Sequence, residues 1–150
     1  MTASFSLELP YGPDRTAISR ADLTFYGLDH SGESYQARVF FDQPEATAST
    51  PITDPGYAGT FSVLGHGGCY GEDGHCSVRD PVTTFDRRPP HPLVPATRIL
   101  ICTDLVQRLM ADGRASVTVT VVPIVRAAGS GSVADPAQMT IDQVSLHTYE

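Results

Sequence analysis

Four side chains able to bind a soft metal or form a covalent bond fall within eleven positions of one another. His66, Cys69, His75 and Cys76 lie in the stretch GHGGCYGEDGHC, residues 65–76, among Gly65, Gly67, Gly68, Gly71 and Gly74. Imidazole and thiolate are ligands for zinc or copper(I), so a metal site is the first chemistry to weigh. His66 and Cys69 have the spacing of a ligand pair. His75 and Cys76 are adjacent, and adjacent side chains on extended backbone point to opposite sides, which works against all four converging. The same residues support two other chemistries. Cys69 and Cys76 enclose six residues, a glycine-rich ring that can close as a disulfide and would stabilise the fold by roughly 2 to 3 kcal/mol on the loop-entropy account. A cysteine nucleophile needs a base and an orienting acid. His66 or His75 could be that base and Glu72 or Asp73 that acid, although a glycine-rich loop holds such groups poorly. The plainest alternative is a glycine hairpin clipped by one crosslink. No residue is assigned a catalytic role.

A second constellation follows at Phe85-Asp86-Arg87-Arg88-Pro89-Pro90-His91-Pro92. The prolines restrict the segment to extended backbone, so Phe85, Arg87, Arg88 and His91 are displayed at fixed spacing. This reads as a stiff surface strap whose arginines pair with the chain's own acids. The sharper alternative is a docking strap for an acidic partner. Cys102, in Ile99-Leu100-Ile101-Cys102, reads as a buried apolar residue. His30 and His147 read as surface residues.

The elements that must position these groups are strands. Ser4 to Leu9 alternates Phe5, Leu7 and Leu9 with polar residues, the period of a half-buried strand. Residues 21–28 and 35–41 are strand-like, with Asp29 to Glu33 expected as a hairpin loop between them. Residues 43–57 form a loop marked by Pro44, Pro51 and Pro55, and 59–64 are the strand that runs straight into the histidine–cysteine stretch. Residues 65–95 have no periodicity and form one long Gly/Pro-rich loop, a length that usually carries function. Residues 98–102 are strand-like. A helix is expected over 104–112, capped by Thr103 and ended by Gly113, with Leu105, Val106, Leu109 and Met110 turned inward. Residues 115–126 form a strong β segment in which Pro123 favours an edge or a bulge. Residues 127–135 are a Gly/Ser loop. Met139 to Tyr149 alternates, with a phase slip near Asp142 and Gln143.

Strands without βαβ repeats, Gly/Pro loops and one short helix predict an all-β fold, an antiparallel β-sandwich of jelly-roll-like or open-barrel form. The 150 residues are expected to make one domain. The net charge of −7, with ten arginines and no lysine, argues against nucleic acid as a partner, because phosphate binding needs a basic face. No apolar run approaches a membrane span. The N-terminus lacks the basic and apolar regions of a signal peptide, which predicts a cytoplasmic protein unless the chain is cut from a longer one.

The stretches GTFSVLGHGGCYGEDGHC (59–76), FDRRPPHPLVP (85–95), ILICTDLVQRLMADGRASVTVTVVPI (99–124) and MTIDQVSLHTYE (139–150) resemble the C-terminal β-sandwich region that follows the catalytic domain in bacterial tyrosinase-like, type 3 copper proteins. Plant polyphenol oxidases and molluscan haemocyanins carry comparable sandwiches. The resemblance implies an accessory domain or small subunit that covers the copper site or supports assembly. Its partner would be a tyrosinase-like catalytic chain, or the catalytic domain of the same precursor. A type 3 copper centre needs six histidines on a helical bundle. This sequence has five histidines and one expected short helix, so it cannot build that centre by itself. The resemblance brings no firm cofactor to this chain. Copper enters through the partner, or by transient binding at His66, Cys69, His75 and Cys76. Two other readings stand beside it: a free-standing copper or zinc protein using those four residues, and an independent small enzyme with a thiol or metal centre in the same loop.

Overall fold

The computed structural model describes residues 2–10, 18–30, 32–65, 94–126, 133–134 and 139–150. Along the chain run β1 (Ala3–Glu8), β2 (Arg20–Leu28), β3 (Tyr35–Phe41), β4 (Tyr57–Val63), β5 (Ala96–Ile101), α1 (Thr103–Ala111), β6 (Ser116–Arg126), β7 (Val133–Ala134) and β8 (Gln143–Tyr149). The expected all-β sandwich is what these elements build. One sheet has the order β1-β6-β3-β4, with the two-residue β7 also on β6, and the other has the order β5-β2-β8. Every pairing is antiparallel.

Strand alternation turns one set of side chains from each sheet toward the other. Val39 and Ala37 of β3, Phe61 and Val63 of β4, and Val117, Val119 and Val121 of β6 meet Ala21, Leu23 and Phe25 of β2 and Val144 of β8 in one buried core. The Phe25 and Phe61 rings stand 4.7 Å apart across the two sheets. At the two sides of the sandwich β4 lies against β5 and β1 against β8, so the sheet edges face each other.

The hairpin expected at residues 29–33 is not formed. Strand β2 pairs with β5 and β8, and β3 pairs with β4 and β6, so the segment crosses between sheets. Sheets pack ~10 Å apart, a gap that six residues span easily. A crossover and a hairpin loop of this length look alike in sequence.

Pro123 meets the expected edge in a local form. It lies in β6, between β1 and β3, and is buried. The Thr118 amide donates to Asp42 Oδ1, at the end of β3, at 2.9 Å. Alternation then turns the even-numbered amides of β6 toward β3 and the odd-numbered ones toward β1. The pairing with β1 ends at Ala3 opposite Val121. The amide hydrogen that Pro123 lacks would therefore have pointed past the end of β1, where the ladder needs no donor.

The other face of the first sheet is covered by the chain's own loop. Phe40 and Val122 turn outward and bury with Ala46, against Ala48 and Tyr57. Arg38 Nη1 fastens the loop by donating to the carbonyls of Ala48, at 3.0 Å, and Thr50, at 3.1 Å. The second sheet has no such cover among the described residues, and Ile99 and Ile101 are each 58 % exposed on its outer side.

Helix α1 ends as expected. Gly113 has φ 72, its amide donates to Met110 O at 3.0 Å, and the Arg114 amide donates to Leu109 O at 3.0 Å. These are the two bonds of a Schellman motif, and the left-handed conformation is why glycine stands there. The start differs. Cys102 occupies the cap position, with no side-chain cap bond. The Thr103 hydroxyl instead accepts from the Ala21 amide at 3.0 Å, and the Cys102 amide donates to Ala21 O at 2.9 Å. The first turn thus docks onto β2 through both backbone groups of one residue. The phase slip in the last segment is present: the Asp142 amide donates to Tyr26 O at 2.9 Å just ahead of β8, and Met139, Ile141 and Leu146 all pack on the core.

Candidate functional site

His66, Cys69, His75, Cys76, Phe85, Arg87, Arg88 and His91 all lie outside the described residues. The metal, disulfide and docking assignments made for them therefore have no geometry here. What is described is the platform from which that segment leaves and to which it returns, and the sequence shapes it in three ways.

The exit follows β4. Leu64 is 73 % exposed, and the Gly65 amide donates to Ser34 Oγ at 2.9 Å. A Cβ on Gly65 would stand 2.2 Å from the Gly32 carbonyl oxygen and 2.4 Å from the Glu33 carbonyl carbon. Backbone lies on backbone at this point, so only glycine fits. The return comes just before β5, where Val94 is 71 % exposed and its carbonyl accepts from His30 Nε2 at 2.8 Å. Because a carbonyl oxygen only accepts, the His30 proton lies on Nε2 in this contact. His30, Gly32, Glu33 and Ser34 all belong to the crossover between β2 and β3. Both stems of the 66–93 segment are thus held on a single short connection at one end of the sandwich. A Gly65→Ala variant should cost about 1 to 3 kcal/mol, the cost of forcing extra atoms into a closed contact. Thermal unfolding measures it, and an unchanged midpoint would show that the stem is not held there.

Below this end, the Tyr35 hydroxyl is buried with no hydrogen-bond partner among the described residues. Burial pushes its phenol above the ordinary value, Asp29 adds to the rise and Arg98 opposes it. Arg98 reaches across the sandwich side to donate from Nε to Ser62 O at 3.0 Å. A shallow cavity of about 380 Å³ opens beside the exit stem, lined in part by Ser34, Gln36, Ser62, Leu64 and Ile124. Its walls offer hydroxyls, an amide and aliphatic carbon. Among the described lining residues, which include Tyr35, there is no carboxylate, imidazole or thiol to act as base or nucleophile.

Cys102 is the free thiol of the described region, and it is buried as expected. Burial, then the nearby Asp22 carboxylate, push its pKa up to about 12. A thiol held protonated in this way is a poor nucleophile and a poor ligand. The sign for stability follows directly. The unfolded chain loses the proton from about the ordinary 9.0, while the folded chain keeps it to about 12. The contribution is present in full below pH 9 and is lost as pH rises through that window. Wild type and Cys102→Ala should therefore show a stability difference that changes between pH 9 and 11. Thiol reagents should label Cys102 only after denaturation, and labelling of the native protein at neutral pH would contradict its burial.

One polar group on the outer side of the second sheet was not foreseen. His147 Nε2 lies 2.8 Å from Ser145 Oγ and 3.4 Å from the Tyr26 hydroxyl. Register places Asp22 directly opposite His147, but the Asp22 carboxylate is taken by Arg20 Nε at 2.7 Å. Among the described residues the imidazole is oriented by hydroxyls, without a carboxylate partner of the kind that a hydrolytic triad uses. The two-residue spacing of Ser145 and His147 was readable as one strand face. Tyr26 and Asp22 join it only through strand register. Among the described residues, no three His, Cys, Asp or Glu side chains come together in a way that could hold a metal ion.

No protein-family profile matches the sequence, and no curated protein does. Solved structures do match it in fold. The chain superposes on a recombinantly expressed latent aurone synthase, a polyphenol oxidase, with a TM-score of 0.56 and 18 % identity, over 98 % of this chain and 24 % of that one. Against the latent aurone synthase from a natural source the TM-score is 0.57 at 18 % identity, over 99 % of this chain and again 24 % of the other. The likeness is one of fold. This chain spans about a quarter of the length of the proteins it matches.

Proposed function

We propose that this chain is a non-catalytic accessory β-sandwich of a tyrosinase-like, type 3 copper oxidase, which covers or supports the catalytic region. The observation that carries the reading is the pair of shares in the structural match: 99 % of this chain answers to 24 % of a polyphenol oxidase. A sandwich that corresponds to one part of such a protein leaves the chemistry to the remainder. The chain's own residues agree with that division. Five histidines in the sequence and, among the described residues, one nine-residue helix do not make a six-histidine helical centre.

The described donors do not fit a copper site either. His30 is engaged at the crossover with Val94, and His147 lies among hydroxyls on β8. In this reading copper belongs to the catalytic region.

The test is co-purification. When the chain is co-expressed with a tagged tyrosinase-like catalytic chain, the two should emerge together through affinity and size-exclusion steps. Recovery of the catalytic chain alone, with this protein monomeric in the flow-through, would overturn the proposal.

A further inference from the structure

We draw no further inference here: the strongest candidate, the outer side of the β5-β2-β8 sheet with its exposed pair Ile99 and Ile101, is an unpartnered apolar face, and nothing in the structure shows what covers it.

Discussion

A Phe25→Ala variant is expected to lose about 4 kcal/mol of stability and to unfold about 10 °C below the wild-type protein. Phe25 is fully buried at the centre of β2, and its ring meets Phe61 of the opposite sheet at 4.7 Å and an interplanar angle of 41°. Truncation removes the transfer free energy of the ring and leaves a cavity between two sheets that cannot close independently, since their sides already lie against each other. The aromatic contact is lost as well. Calorimetry measures the result. A loss below about 1 kcal/mol would mean that this ring does not bridge the sheets.

Asp42→Ala is expected to cost about 3 kcal/mol. Asp42 follows the last position of β3 with φ 54, a conformation that Asp and Asn tolerate better than Ala. Its backbone amide donates to Thr118 O at 2.7 Å, and its Oδ1 accepts from the Thr118 amide at 2.9 Å. Its Oδ2 lies 2.7 Å from Arg114 Nη2. One residue thus closes the β3–β6 ladder and ties it to the turn after α1. Alanine leaves the Thr118 amide without its acceptor and pays the left-handed strain. Asp42→Asn separates these contributions. It keeps the acceptor and the conformation and gives up only the ion pair with a half-exposed arginine, which is worth less than about 1 kcal/mol. Equal losses in the two variants would show that charge, rather than the backbone latch, holds the corner.

These two sites illustrate what a sequence carries and what it leaves to tertiary structure. Strand β3 is readable from Tyr35 to Phe41, because its apolar residues sit on a pleat with clear ends. Helix α1 is readable because Gly113 and the inward set Leu105, Val106, Leu109 and Met110 agree with each other. Local period and turn chemistry decide such elements. The partner of each strand is not a local property. The crossover at 29–34 had the composition of a hairpin loop. Pro123 suggested an edge, and it has one only locally: β6 is an inner strand, but β1 stops short of Pro123. The outward burial of Phe40 and Val122 depends on a loop that folds back over the sheet, and neither residue's immediate neighbours announce it. Asp42 carried no signal at all, since its role needs Thr118 and Arg114 far along the chain.

The candidate site divides along the same line. The clustering of His66, Cys69, His75 and Cys76 was visible at once as a pattern of residue types, and these residues lie outside the described region. The platform was invisible in sequence for the opposite reason. His30 meets Val94 across 64 positions, and Ser34 meets Gly65 across 31. Two unremarkable polar residues become anchors only when the crossover lies beside the ends of β4 and β5. The fold comparison then adds what neither residue types nor local geometry could supply, namely that a sandwich of this shape occurs as one part of a much longer oxidase chain.

The most direct measurement of the central claim is light scattering on a size-exclusion column. The purified chain would be mixed at equal concentration with a copper-loaded tyrosinase-like catalytic chain. The account predicts a single peak whose mass is the sum of the two chains. Two peaks at the separate masses, unchanged as the concentration is raised tenfold, would contradict it.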